Sequence, residues 1–83
     1  MALFMDVHNL EGGVALADVT NAHAADLATQ SSYGVQYLRY WVDEAAGKIF
    51  CLVEAPDADT AATVHREAHG LVADEIYAVA EGV

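Results

Sequence analysis

The segment His65-Arg66-Glu67-Ala68-His69 carries the residue pattern in this chain that is best suited to chemistry. Histidines four positions apart lie on one face of a helix, with about 5 to 6 Å between their Cβ atoms. Two imidazoles at that spacing can hold one metal ion between them. A zinc protease needs glutamate directly after the first histidine, and Arg66 stands there instead. The alternative is a solvated helix end, whose histidines favour the helix dipole and bind nothing.

The other histidines are second-rank candidates for metal ligands. His23 falls in the apolar stripe of a predicted helix, where a hydrogen-bonded histidine without a metal is the commoner outcome. This stripe consists of Leu16, Val19, Thr20, His23 and Leu27, with Asp26 on another side of the helix. His8 ends a predicted strand two residues after Asp6, so these two side chains share one face. They form either an imidazole-carboxylate metal site or a polar rim around an interface. The candidate ligands are therefore His65, His69, His8 and His23.

No residue set in the sequence is typical of a catalytic site. The single cysteine, Cys51, lies within the apolar run Ile49–Val53, where a small buried hydrophobe is the ordinary use of cysteine. It has no second cysteine with which to form an intramolecular disulfide. The chain lacks a Ser-His-Asp set, a glycine-rich phosphate loop and a Cys-x-x-Cys pair. We therefore expect no catalytic residues.

The elements that must position these histidines are predicted in the order strand, helix, strand, strand, helix, strand. Residues alternate between faces in a strand and recur at three- and four-residue spacing in an amphipathic helix. The expected bounds are Leu3–His8, about Leu16–Ser31, Val35–Asp43, Lys48–Glu54, a helix from Asp57 to about Glu67 that stops before Gly70, and Leu71–Ala80. This order predicts one α+β domain over residues 1–83, with a ferredoxin-like βαββαβ fold: an antiparallel sheet with two helices on one face.

The sheet face opposite the helices is expected to pack against another protein surface. Strict strand alternation places on it the side chains of Tyr37, Trp41, Phe4 and Tyr77. Asp6 and His8 would lie on the same face, because they share the alternation of Phe4. An exposed aromatic patch on so small a domain is most simply buried against a second copy. We therefore predict a homodimer.

The net charge of the chain disfavours two classes of binding partner. Thirteen Asp and Glu against three Lys and Arg give a formal net charge of −10, which opposes binding to nucleic acid or to an anionic membrane surface. No apolar run approaches the ~20 residues of a membrane span. The N-terminal residues lack the pattern of a signal peptide, so a cytoplasmic location is expected. The acidic surface raises the local concentration of cations, including divalent metals.

The chain resembles a bacterial family of small nickel-binding proteins, otherwise described as a domain of unknown function. The resemblance rests on Phe4–His8, on Tyr40–Asp43, on Gly47–Asp57 and on His65–Gly70, so it covers nearly the whole chain. It implies a ferredoxin-like dimer that binds nickel, for instance to sequester it. His8, His65 and His69 lie inside the matching segments, and His23 lies in a less distinctive helix.

The candidate ligands suit nickel, which accepts imidazole nitrogen together with carboxylate or water oxygen. With only four histidines per chain, carboxylates, water or a second subunit would have to complete any site, which suggests shallow surface sites. The leading hypothesis is a non-enzymatic nickel-binding homodimer that buffers or sequesters Ni²⁺. The alternatives are an enzyme resembling cofactor-independent monooxygenases, with His23, Tyr40 or Cys51 lining its pocket, and a plain dimerising module.

Overall fold

The computed structural model describes residues 2–82 and has the predicted order of strands and helices. The elements are β1 (Ala2–Asn9), α1 (Leu16–Thr29), a 3-10 turn (Gln30–Tyr33), β2 (Gln36–Asp43), β3 (Lys48–Ala55), α2 (Ala58–Ala68) and β4 (Glu75–Ala78). Within the described residues the sheet is antiparallel, with the strand order β2-β3-β1-β4. The predicted ferredoxin-like fold is confirmed, although β4 is shorter than expected.

Helix α2 begins and ends where its sequence signals indicate. The carboxylate of Asp57 accepts a hydrogen bond from the backbone N–H of Thr60 at 2.7 Å, as an N-cap does. Gly70 has a φ of +83° and donates its N–H to the carbonyl of His65 at 2.9 Å. Glycine adopts this left-handed conformation without steric cost. These ends place His65 in the last turn and His69 just beyond it.

The hairpin between β2 and β3 positions the start of α1. Glu44 in this hairpin accepts a hydrogen bond from the N–H of Leu16 at 3.0 Å, so it satisfies a donor that the helix leaves free. Gly47 has a φ of +69°, and the backbone of Leu10 runs so close to it that a Cβ at this position would collide with the Leu10 carbonyl. The hairpin is thereby joined to the connection that leads from β1 into α1.

A β-bulge in β2 changes which aromatic side chains lie inside. Tyr37 pairs with Val53, but Arg39 already pairs with Leu52, so Leu38 is an extra residue in β2. The bulge breaks the strict alternation, and Tyr37 is only 3% exposed beneath the helices. Phe4 also packs against the core. The expectation that Tyr37 and Phe4 lie on the open sheet face was therefore wrong.

The sheet face opposite the helices nevertheless exposes aromatic and aliphatic side chains. Trp41 is 48% exposed and Tyr77 is 50% exposed. Beside Trp41 runs a groove of about 480 Å³, which Leu3, Met5 and Leu52 also line. Among residues 2–82 no helix has both the length and the apolar character needed to cross a membrane.

Candidate metal centre

Strand β1 directs two polar side chains into the interior. Asp6 and His8 lie on the β1 face that is covered by the helices, and they are 0% and 2% exposed. His8 Nε2 lies 3.2 Å from Asp6 Oδ1. The expectation that this pair lies on the open face was wrong, because the buried face of β1 is the one that carries Phe4, Asp6 and His8.

Helix α2 places His65 directly against Asp6. Ala61, Val64 and His65 form the buried stripe of this helix, at the spacing of one helical face. His65 is 1% exposed, and its Nε2 lies 2.9 Å from Asp6 Oδ2. The picture of two histidines at a solvated helix end therefore does not apply to His65.

Helix α1 supplies a second carboxylate on the other side of the same imidazole. Asp26 Oδ1 lies 2.9 Å from His65 Nδ1. A carboxylate can only accept hydrogen bonds, so two such contacts require a proton on each ring nitrogen. Burial by itself lowers the pKa of His65, but the hydrogen bonds to Asp26 and Asp6 outweigh it and raise the pKa to about 9. In this state His65 is an imidazolium between two buried carboxylates.

The environment of Asp6 favours its charged form. Burial acts to raise the pKa of this carboxyl, but its close contacts with His65 and His8 hold it well below the ordinary value. The hydroxyl of Tyr37 donates a further hydrogen bond to Asp6 Oδ2 at 2.9 Å. Burial raises the pKa of that hydroxyl, so Tyr37 keeps the proton that it donates.

His69, at the C-terminal end of α2, lies against Asp26 of α1. Its Nε2 lies 3.0 Å from Asp26 Oδ1, although the two groups are not aligned as a hydrogen bond. Its Nδ1 accepts a hydrogen bond from the backbone N–H of Leu71 at 3.0 Å. Burial lowers the pKa of His69, so we expect a neutral ring. Because Nδ1 is the acceptor, the one ring proton lies on Nε2.

Five side chains form a run in which imidazoles and carboxylates alternate, the first four buried and the last partly buried: His8, Asp6, His65, Asp26 and His69. Among residues 2–82, the buried side-chain atoms without a hydrogen-bond partner are Asp6 Oδ1, His8 Nδ1 and His69 Nε2. All three belong to this run. Because buried polar atoms are normally paired, three unpaired atoms in one place indicate a site for a ligand or ion.

Two groups within this cluster have the composition of a metal centre. In the first, one ligand atom from each of Asp6, His8, Cys51 and His65 lies within 4.8 Å of all the others. The second contains Asp26, His65 and His69 under the same distance limit. His65 belongs to both groups and turns opposite ring nitrogens toward Asp6 and Asp26. Either group can supply imidazole nitrogen and carboxylate oxygen to one cation.

His23 lies beside the cluster but in neither group. A small cavity of about 20 Å³ is lined by His23 and Tyr40 and by four members of the cluster: His8, Asp26, His65 and His69. The ring of His23 lies 4.7 Å from the ring of Tyr40. The Tyr40 hydroxyl is held by Thr20 Oγ1 at 2.9 Å in a more exposed position.

The structure brings together three of the four predicted histidines, and it adds Asp26, which sequence reasoning placed on the polar side of α1. The predicted apolar stripe of α1 included Leu16 and Leu27, but both are about half exposed. The face that is buried runs instead through Val19 and Asp26, seven positions apart. That spacing was a signal that could have found Asp26. This candidate cluster is largely buried, whereas the sequence suggested shallow surface sites.

Comparison with known proteins gives the family of this chain. The family model described as nickel responsive protein SCO4226-like matches residues 4–79. Curated proteins give no match. Among solved structures, the crystal structure of SCO4226 from Streptomyces coelicolor A3(2) is similar at a TM-score of 0.90 and 40% identity, covering 99% of this chain and 100% of that one. The chain therefore belongs to the SCO4226-like family of nickel-responsive proteins.

Proposed function

We propose that this protein binds Ni²⁺ in its buried histidine and aspartate cluster and buffers or sequesters the ion without catalysing a reaction. The observation that carries the proposal is the buried run from His8 to His69, with three unpaired polar atoms inside it. Imidazole nitrogen and carboxylate oxygen are donors that nickel accepts. The family description supports nickel over the other metals that such donors accept.

The charge of the cluster also supports a cation. Asp6 and Asp26 each carry a negative charge, and the imidazolium of His65 offsets only one of them. A buried unpaired charge is costly, so the cluster is electrostatically suited to a divalent ion in place of the His65 proton. His65 must lose a proton to become a ligand, which makes metal binding and proton release a single exchange.

The size of the cavity favours an ion over an organic substrate. About 20 Å³ is enough for a water molecule or an ion. Pockets for small organic molecules are typically some 300 to 1,000 Å³. The alternative of a monooxygenase-like enzyme placed its pocket at His23, Tyr40 and Cys51, and these residues line this small cavity. The volume of this cavity therefore favours a bound metal ion over an organic substrate.

We place the metal in the first group, with Asp6, His8 and His65 as ligands. In the second group His69 has its Nδ1 occupied by the Leu71 N–H and its proton on Nε2, so it would have to change tautomer and lose a hydrogen bond before it could ligate. We therefore assign to Asp26 and His69 the role of orienting His65, as outer residues do around metal ligands. His23 lines the cavity but belongs to neither ligand group, so we assign it no ligand role.

The exposed sheet face supports the homodimer that the sequence predicted. Trp41, Tyr77 and Leu38 are each more than 40% exposed there, and an apolar groove runs beside Trp41. Contiguous apolar surface of this kind marks an interaction site, and symmetric pairs of one chain are the commonest assembly. The metal site lies on the opposite side of the sheet. Each chain would therefore hold its own nickel ion.

Calorimetric titration with nickel chloride tests the proposal. We expect His8→Gln to weaken binding by roughly tenfold or more, because it removes an imidazole that has an unpaired buried nitrogen. His23→Gln is the matched control and should leave the equilibrium affinity unchanged, since His23 lies in neither ligand group. No nickel binding by the wild-type protein, or equal affinity of both variants, would contradict the proposal.

A further inference from the structure

Cys51 lies against the cluster because of strand register. Cys51 pairs directly with Asp6 across the β1 and β3 ladder. Side chains of directly opposed residues lie on one face with Cβ atoms about 4.5 to 5.5 Å apart. Both residues lie under the helices, and Cys51 is 6% exposed. The thiol therefore lies beside the carboxylate for a reason independent of any metal.

The surroundings of Cys51 are those of a ligand rather than of a packing residue. The sulfur is one of four ligand atoms within 4.8 Å of one another, the others coming from Asp6, His8 and His65. Asp6 Oδ1 and His8 Nδ1, in this same group, have no hydrogen-bond partner and belong to side chains that are 0% and 2% exposed. Cys51 and Val53, two residues apart on the same face of β3, both belong to the buried core. Among the described residues of β3, Cys51 is the one that belongs to a possible ligand group.

Building on the proposed nickel site, we infer that Cys51 supplies a thiolate ligand, so that the ion is held by one thiolate, two imidazoles and one carboxylate. A thiolate is the form of cysteine that binds metals. The thiol loses its proton to solvent and His65 loses another as Ni²⁺ enters, and no electron is transferred. Two positive charges leave and two arrive, so the net charge of the buried cluster is unchanged.

The thiolate gives the site a chemical preference. Soft sulfur ligands favour late transition metals, whereas Mg²⁺ and Ca²⁺ prefer oxygen donors. An acidic surface attracts all divalent cations without distinction. Cys51 would therefore let the interior discriminate between nickel and the more abundant hard cations that the surface collects.

Absorption spectroscopy of the metal-loaded protein tests this inference. Nickel bound to a thiolate has sulfur-to-metal charge-transfer bands in the near ultraviolet, which imidazole and carboxylate ligands do not produce. We expect these bands in the wild-type protein and in Val53→Ala, a core truncation on the same face of β3. We expect Cys51→Ser to lack them, to bind nickel roughly tenfold or more weakly and to release about one proton fewer per ion.

The outcomes separate this inference from the proposed function. Nickel binding by the wild-type protein without charge-transfer bands would overturn the thiolate assignment and leave the nickel site standing. Bands that persist in Cys51→Ser would also overturn it. Absence of nickel binding would overturn the proposed function. The wild-type spectrum needs no substitution, so the test does not depend on whether Cys51→Ser folds.

Discussion

His65 and Asp6 form a buried ion pair between the second helix and the first strand, with 2.9 Å between Nε2 and Oδ2 and both side chains at most 1% exposed. We expect Asp6→Asn to lower the free energy of unfolding by about 3 to 5 kcal/mol, because it leaves a buried imidazolium short of one partner. Urea denaturation of the metal-free protein measures this. Asp18→Asn, on the exposed side of α1, should change stability by less than about 0.5 kcal/mol. Similar losses for the two variants would contradict the ion pair.

Stability of the metal-free protein should fall as pH rises from about 6.5 to about 9. The pKa of His65 is about 9 in the folded chain against 6.5 for a free imidazole. Its contribution, about 3 kcal/mol, is complete below the lower value and is lost as pH passes the higher one. Urea unfolding in the presence of a chelator, at intervals from pH 6 to pH 9, measures the loss. This fall in stability between pH 6.5 and pH 9 should be absent in His65→Gln. That variant is the control, because it keeps the general repulsion among the thirteen acidic residues.

Acid should also destabilise the metal-free fold. The pKa of Asp6 is lowered in the folded chain, so its contribution is present above the ordinary value near 3.8 and is lost as pH falls below it. His69 acts in the same direction, because burial lowers its pKa and the folded state resists its protonation below about pH 6.5. Maximum stability is therefore expected near pH 6. A maximum at pH 8 or above would show that the cluster is not charged as described.

Nickel affinity should rise with pH across the neutral range. The unperturbed pKa of imidazole, about 6.5, predicts a loss of affinity only between about pH 7 and pH 5. Because His65 holds its proton up to a pKa of about 9, that proton competes with the metal across the neutral range as well. We expect the apparent dissociation constant to fall about tenfold or more per pH unit between pH 7 and pH 8. A constant value across this range would exclude His65 as a ligand.

His65 and His69 should contribute unequally to nickel binding. The sequence spacing predicts that each weakens a site when replaced by alanine. In the structure His69 Nδ1 accepts the Leu71 N–H, while His65 belongs to both ligand groups. We therefore expect His65→Ala to abolish tight binding, His69→Ala to weaken it to a smaller extent, and the double variant to equal His65→Ala. Titration of the three variants decides this, and equal losses for the two single changes would place His69 among the ligands.

Trp41→Asp should convert the predicted homodimer to a monomer without loss of nickel per chain. The change puts a charge in the centre of the exposed apolar face, and the metal cluster lies on the other side of the sheet. Sedimentation equilibrium at micromolar concentration gives the mass. Thr20→Asp, on the exposed side of α1, is the control and should leave the mass unchanged. A wild-type monomer, or loss of nickel with the monomer, would contradict this arrangement.

The sequence by itself determined what depends on neighbours along the chain. Turn residues and apolar periodicity were enough to predict the order of strands and helices, because these signals act over a few residues. Asp57 and Gly70 marked the ends of the second helix for the same reason. The spacing of His65 and His69 correctly predicted neighbouring rings, which lie 4.9 Å apart.

Only the tertiary structure decided which faces are buried and which distant residues meet. The bulge after Tyr37 reverses the expected face of that residue, because a bulge depends on pairing with β3 and not on local alternation. Asp26 lies 39 positions from His65 and meets it because α1 and α2 pack side by side. Cys51 opposes Asp6 through strand register. Burial then changes the chemistry: in a low-dielectric interior the histidine that looked like a solvated helix end becomes an imidazolium held by two carboxylates.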